Sequence, residues 1–350
     1  MRLRIVLACF AGLAALAASL VARPAAAKSC SGLYSPCIDD DTLWPHAGPA
    51  RFAAVGSTDT VAPGQVGFGL VTTYLNDPIV LRTFVGPPGT TAASADQNVV
   101  KDQVNGSFLW SYGVTSRLQL DLTLPVTFGQ SGGGLAAVTG GDGLKDTAIR
   151  DLRFGFAYVL LAHPRVADAA MPTGFGLAGR LEMSAPSGDA EQFAGERSAV
   201  FVPSLAADWR AGRFIVGAEV GARLRPTTES VGARVGSQLV TALGVGYDLL
   251  ARRELLTATL EAWALPTFAE QHDLVSSNGS TLSVPDGKSI APAEWQLSVR
   301  TAPVHDGDLS IQAGGGTELP FTGNVITQPH FRFTLGIRWA PGGRAATGKP

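Results

Sequence analysis

Gly129-Gln130-Ser131-Gly132-Gly133 is a G-x-S-x-G pentapeptide at the end of an alternating apolar run, the pattern by which a hydrolase presents a nucleophilic serine on a strand-to-helix turn. That chemistry needs a helix after Ser131, and a histidine with an orienting partner within hydrogen-bond reach. The following GLAAVTGGDG offers only a few residues before more glycines. The five histidines are poorly placed for the task. His46 precedes the alternating region, His163 and His305 fall in short connections, and His272 falls in a long one. His330 opens the last apolar run at a suitable level, but it reads as an interfacial strand-end residue. No G-x-x-x-x-G-K-[ST] phosphate loop occurs. The run Asp39-Asp40-Asp41 and the segment GGDGLKD lack the spaced ligands of a calcium loop and read as solvated surface charge. The chain is therefore expected to be no enzyme and to hold no metal or cofactor.

A second set of chemically capable residues comprises Asp121, Arg153, Arg180, Glu182, Glu219, Arg223, Glu261, Glu294 and Arg332, each set within an apolar alternating stretch. Residues 117–128, RLQLDLTLPVTF, show the pattern. Leu118, Leu120, Leu122, Leu124, Val126 and Phe128 share one face, opposite Arg117, Gln119, Asp121 and Thr123. A period of two fits a β-strand and cannot lie on one helix face. Twelve such stretches follow one another, at about 65–75, 103–112, 117–128, 149–160, 174–185, 198–209, 214–225, 235–249, 255–268, 293–301, 308–316 and 330–339. An apolar face could pack on a second sheet or face lipid.

Three observations favour lipid. Charged residues make up only 16% of the chain and mean hydropathy is positive, yet no apolar run of helix-spanning length follows the first 27 residues. Connections alternate: GVTS, RAGR and LARRE are short, whereas GQSGGGLAAVTGGDGLKDTA and AEQHDLVSSNGSTLSVPDGKSIA are long. Aromatic residues gather near both strand ends, with Trp110, Tyr112, Trp209, Phe214, Tyr247 and Trp339 at the short turns and Tyr74, Phe128, Phe201, Phe268 and Trp295 toward the loops. The expected fold is all-β: a transmembrane antiparallel up-and-down β-barrel of about twelve strands with short periplasmic turns and long outer loops. The nine charges then line its lumen as a mixed mid-level band of weak ion selectivity, pairing across neighbouring strands. Glycines are assigned to turns and small lumen-facing positions.

Arg2 and Arg4, an apolar stretch and Ala25-Ala26-Ala27 before Lys28 read as a secretory signal peptide over residues 1–27. Without its three arginines the formal charge falls from -2 to -5, so no nucleic-acid partner is expected. Cys30 and Cys37 then remain in an exported chain and are expected to form a disulfide. Residues 28–64 have no clear periodicity and could be a periplasmic extension or a plug; the scarcity of apolar pattern favours the extension. The barrel is placed at 65–339 and a flexible tail at 340–350.

The succession WPHAGPARF, GQVGFGL, TLPVTF, DLRFGFAY and EMSAPSGDAEQFAGE resembles bacterial outer-membrane barrels, specifically the barrel found ahead of OmpA-type domains and, more loosely, transporter-like barrels associated with phenol-degradation operons. The resemblance implies an outer-membrane location. No peptidoglycan-binding domain of the OmpA type is expected after residue 339. Lipid of the outer membrane, the barrel-assembly machinery and small solutes are the expected partners. A passive channel or transporter with a mixed-charge lumen is the leading functional expectation, and a closed structural or assembly barrel is the alternative. A membrane-associated hydrolase is the remote third.

Overall fold

The computed structural model describes residues 30, 35–85, 93–136, 143–163, 173–230, 233–250, 255–277, 280–285, 288–304, 308–320 and 326–341. Residues 1–27, read from the sequence as a signal peptide, the residues after 341 and His305 lie outside them. Twelve long strands make the wall. The first half comprises β1 (Val66–Val85), β2 (Ala93–Gly113) and β3 (Leu118–Ser131), a short β4 (Ala148–Ile149) laid against β3, then β5 (Arg153–Leu161), β6 (Gly174–Ser184), β7 (Val200–Ala211) and β8 (Phe214–Arg223). A small hairpin of β9 (Thr228–Ser230) and β10 (Ala233–Val235) precedes β11 (Gln238–Asp248) and β12 (Thr257–Ala264). A second hairpin, β13 (His272–Ser277) and β14 (Ser280–Pro285), precedes β15 (Ala293–Val304), β16 (Leu309–Glu318) and β17 (Phe331–Trp339).

Each wall strand pairs antiparallel with its neighbours in sequence, and β1 pairs with β17 from Phe68↔Trp339 to Asn76↔Phe331. The sheet closes into a barrel, leaving no open edge in the wall. All twelve segments read from the sequence are wall strands. Between residues 76 and 102, where a long loop is expected, β1 and β2 continue as a two-stranded ribbon. Asn76-Asp77-Pro78 interrupts the alternation there: the register slips between Asn76 and Ile79, and Asp77 takes a left-handed φ of 49°. The bulge turns Ile79, Leu81, Val99 and Val100 into a buried cluster with Leu135, Phe193, Val235, Ile290 and Ile326, which caps the loop end of the barrel.

The barrel is apolar outside and polar inside. Leu205, Val220, Leu243, Val245, Leu260, Leu297, Val299, Leu335 and Ile337 point outward and are exposed around the circumference. Gln103, Gln119, Gln238, Gln296, Glu261 and Arg332 point inward and are fully buried. A continuous outward apolar belt has no favourable solvent except lipid. Phe214 and Tyr247 pack at 4.9 Å on the outer face at the short-turn end, where interfacial aromatic rings belong. Leu335 lies mid-strand on this belt, 47% exposed. A Leu335→Arg substitution should destabilise the barrel by about 2–4 kcal/mol, the cost of a basic residue at the bilayer midplane. Urea titration of protein folded into lipid vesicles, against wild type, measures that loss.

Candidate functional site

The lumen is occupied by the chain's own N-terminal segment. Residues 35–62 contact inward side chains from strands all round the wall and run from the loop end to the short-turn end, where β1 begins. At the loop end, Ser35 N–H bonds Glu229 O at 3.1 Å, Asp40 N–H bonds Phe193 O at 3.2 Å, and Ile38 joins the apolar cap. At the other end, Val61 N–H bonds Gln119 Oε1 at 2.8 Å and Ala62 N–H bonds Pro341 O at 2.8 Å. Of the two readings of residues 28–64, a periplasmic extension or a plug, these contacts are those of a plug. A segment without apolar periodicity makes no core of its own, but it can order against the wall. Cys30 and Cys37 form a disulfide at the loop end, Cα to Cα 5.5 Å, so the described chain starts at the mouth opposite to the one expected.

Three anchors hold the plug. In the first, Arg150 donates to both Asp39 and, at 2.9 Å, Asp40. Arg332 donates to Asp41 at 2.7 Å and to Glu294 at 2.7 Å, and Glu294 also accepts from the Thr42 hydroxyl. The acidic run read as solvated surface charge is thus buried and paired. A carboxylate without hydration persists there only because each cation lies in contact. Burial pushes Asp40 up to about 7 against the opposing pull of Arg150, whereas for Asp41 burial is outweighed by Arg332 and Arg150, which hold it at about 2.

The second anchor is a set of wall carboxylates that accept from plug backbone. Glu261 takes Ala53 N–H at 2.9 Å and Ala54 N–H at 2.8 Å; Glu219 takes Gly56 N–H at 2.6 Å. Each satisfies backbone donors that an irregular buried segment cannot pair with itself. Between them Phe52 lies on the cross-strand pair Gly217↔Gly244. A Cβ on either glycine would stand 2.8 Å from the Phe52 ring, so the flat glycine wall is what admits the plug at this level.

The third anchor is His46, whose Nε2 lies 3.1 Å from Glu219 and Nδ1 3.5 Å from Glu182. Burial lowers its basicity, but Glu219 and Glu182 outweigh both burial and the repulsion of Arg180, raising its pKa to about 9. Lower down, Asp208 accepts from Thr58 and meets His163 at 2.8 Å and Arg210 at 2.7 Å; Asp59 pairs with Arg210 at 2.9 Å and Arg51 at 2.8 Å.

All nine charges singled out from the sequence face inward and are buried or nearly so. Asp121 of β3 pairs with Arg180 of β6 at 3.2 Å across the intervening β5, rather than with a neighbouring strand, and Arg153 of β5 approaches Glu182 of the adjacent β6 at 3.9 Å. Glu219, Glu261, Glu294 and Arg332 instead hold the plug. Arg153 and Arg223 flank Trp44, and Arg223 also donates to Thr42 O at 3.3 Å. Missed were Arg150, Asp39, Asp40, Asp41, His46, Asp59, Asp208 and Arg210. A balanced excess of wall charge was the available sign of a charged partner, and Asp39-Asp40-Asp41 was the complementary run in the chain. Ser131 ends β3 at the loop end and contacts Asp102 at 3.4 Å, and His330 lies 3.7 Å from Asp77.

The folded pKa of His46 lies above its ordinary value of 6.5, so its contribution to plug seating is complete below about 6.5 and is lost as pH rises through about 9. Asp40 adds the same sign at lower pH, losing its contribution between 3.8 and about 7. Tryptic cleavage after Arg51, within the plug, should therefore accelerate between pH 7 and 9.5 relative to an unstructured control substrate. A His46→Gln variant should cleave with no such dependence. Gly244→Val should release Phe52 and expose Arg51 to trypsin at pH 7.

No protein-family model matches this chain, and no curated protein matches it, so neither comparison supports the likeness to barrels preceding OmpA-type domains. Among solved structures, a Pseudomonas aeruginosa FadL homologue is similar at 12% identity and TM-score 0.39, over 85% of this chain and 99% of that one. The KdgM porin is similar at 8% identity and TM-score 0.36, over 78% and 98%. The toluene transporter TodX of Pseudomonas putida is similar at 11% identity and TM-score 0.32, over 88% and 96%. These are outer-membrane barrels. The likeness is one of overall architecture, and the barrel geometry described above stands without it.

Proposed function

We propose that this chain is an outer-membrane passage for small solutes, closed in its resting state by its own residues 35–62. Short turns such as Ala211 to Phe214 face the periplasm and the longer connections face outward. The plug is seated on charge and hydrogen bonds, and this observation carries the reading. A lumen closed for structural purposes alone is most stable when filled with apolar side chains, since burying ion pairs offers little net stability over a hydrophobic filling. Here buried charge pairs lie beside the apolar contacts, in which Leu43, Phe52 and Val55 pack against Ile215 and Trp263. When the plug leaves, Glu219, Glu261, Glu294, Arg332 and the glutamines of the wall rehydrate and leave a wet channel with charges of both signs.

In the closed state a void of about 10 Å3, enough for a water, lies beside Ala47, Asp121 and Arg180. Purified wild-type protein in a planar bilayer should show rare, brief openings. The double variant Arg150→Gln/Arg332→Gln, which removes both cations from the acidic run, should raise open probability at least about tenfold, the equivalent of one lost charged contact. A variant lacking residues 35–59 should conduct continuously and ohmically. Absence of conductance from both variants, each shown to be folded by heat-dependent gel mobility, would establish the closed structural barrel instead.

A further inference from the structure

Two guanidinium groups lie against the ring of Trp44. Arg153 lies 4.6 Å from the ring centroid and Arg223 lies 4.3 Å from it. Val200 and Val202 pack against the same ring. Arg153 comes from β5 and Arg223 from β8, so barrel closure, rather than sequence proximity, creates the slot. Two cations converging on one buried site are tolerated when something electron-rich lies against both, and the π system of an indole meets that need.

The indole satisfies the cations only in part. Arg153 donates to Ser107 Oγ at 3.4 Å and Arg223 donates to Thr42 O at 3.3 Å. The Nε atoms of both arginines are buried and have no hydrogen-bond partner among the described residues, and the Nε1 of Trp44 is in the same condition. Among the described residues Glu182 reaches Arg153 only at 3.9 Å and is also engaged by His46, and no carboxylate lies within 4.0 Å of Arg223. Buried N–H groups on a charged side chain are costly to leave unmade. The slot thus offers stacking faces, which Trp44 fills, and donors for an anion, which it does not.

We infer that the slot between Arg153 and Arg223 is a solute-binding site for small aromatic carboxylates, and that Trp44 is a built-in occupant which such a solute displaces. The ring takes the place of the indole against the guanidinium groups. The carboxylate accepts from the two Nε–H groups, contacts that Trp44 cannot supply. The exchange removes one end of the plug from the wall at the level of Thr42 and His46, so binding and opening are coupled. This rests on the gated-passage reading and gives it a substrate class.

Benzoate binding to folded protein in detergent, measured by titration calorimetry, tests the site without any need for conductance. Trp44→Ala should bind benzoate about tenfold or more tightly than wild type, because the competing ring is gone. Trp44→Leu keeps apolar bulk against Val200 and Val202 and should show the same direction if the alanine variant folds poorly. Arg153→Gln or Arg223→Gln, each placed in the Trp44→Leu background, should remove binding. Cyclohexanecarboxylate, with the same charge and no π face, and benzyl alcohol, with the ring and no charge, should each bind at least about tenfold more weakly than benzoate. Equal binding of benzoate and cyclohexanecarboxylate, or no gain on removing the indole in either variant, would overturn the proposal. Planar-bilayer recording of wild type with and without benzoate then separates the two readings. Tight binding with no rise in open probability overturns the gate while leaving the slot, and conductance without benzoate binding overturns the slot while leaving the gate.

Discussion

The pairing of buried charge between plug and wall is the constraint on which this structure depends. A strand that shows leucine to lipid on one face can show polar groups on the other, and here many of the inward residues are Arg, Glu, Gln and Thr buried from bulk water. Such groups need partners. Some find them on the wall, as Asp121 does with Arg180. Arg150 and Arg332 find them on Asp39, Asp40 and Asp41, and Glu219 and Glu261 find them on plug N–H groups. The barrel without this segment would be a water-filled tube. The segment without the barrel would have nothing to order it.

Much of the fold was legible because a barrel strand has one simple requirement. Residues 117–128 alternate without interruption, and they became β3 with Leu120 and Phe128 exposed and Gln119, Thr123 and Thr127 buried. Lengths of connections gave the direction of each strand. The ribbon beyond Asn76 was not legible, since its alternation is broken at a bulge and its apolar residues face the loops rather than lipid.

The site was half legible for a different reason. Charge in the middle of an apolar strand announces the lumen, and the nine residues it named do face inward. What it cannot announce is the partner, because Arg150–Asp39 is a contact between positions 111 residues apart with no periodic relation. Trp44 and His46 sit in an aperiodic, proline-bearing stretch whose conformation is dictated entirely by the wall. Such a segment carries no signal of its own. Gly217 and Gly244 mattered for the same reason: their lack of a side chain makes sense only once Phe52 is seen lying across them.

The route of the N-terminal segment has a consequence for biogenesis. Residues 35–62 are encircled by chain that follows them, and the circle closes along the single seam where β1, the next element, meets β17, the last. Laying the segment along an open, curling sheet lets each carboxylate find its arginine while both are still hydrated. Passing it lengthwise through a finished tube would have to draw the disulfide-closed Cys30–Cys37 end along the whole length of the lumen. The order of assembly follows: residues 35–62 become a mandrel, and the seam zips shut around them.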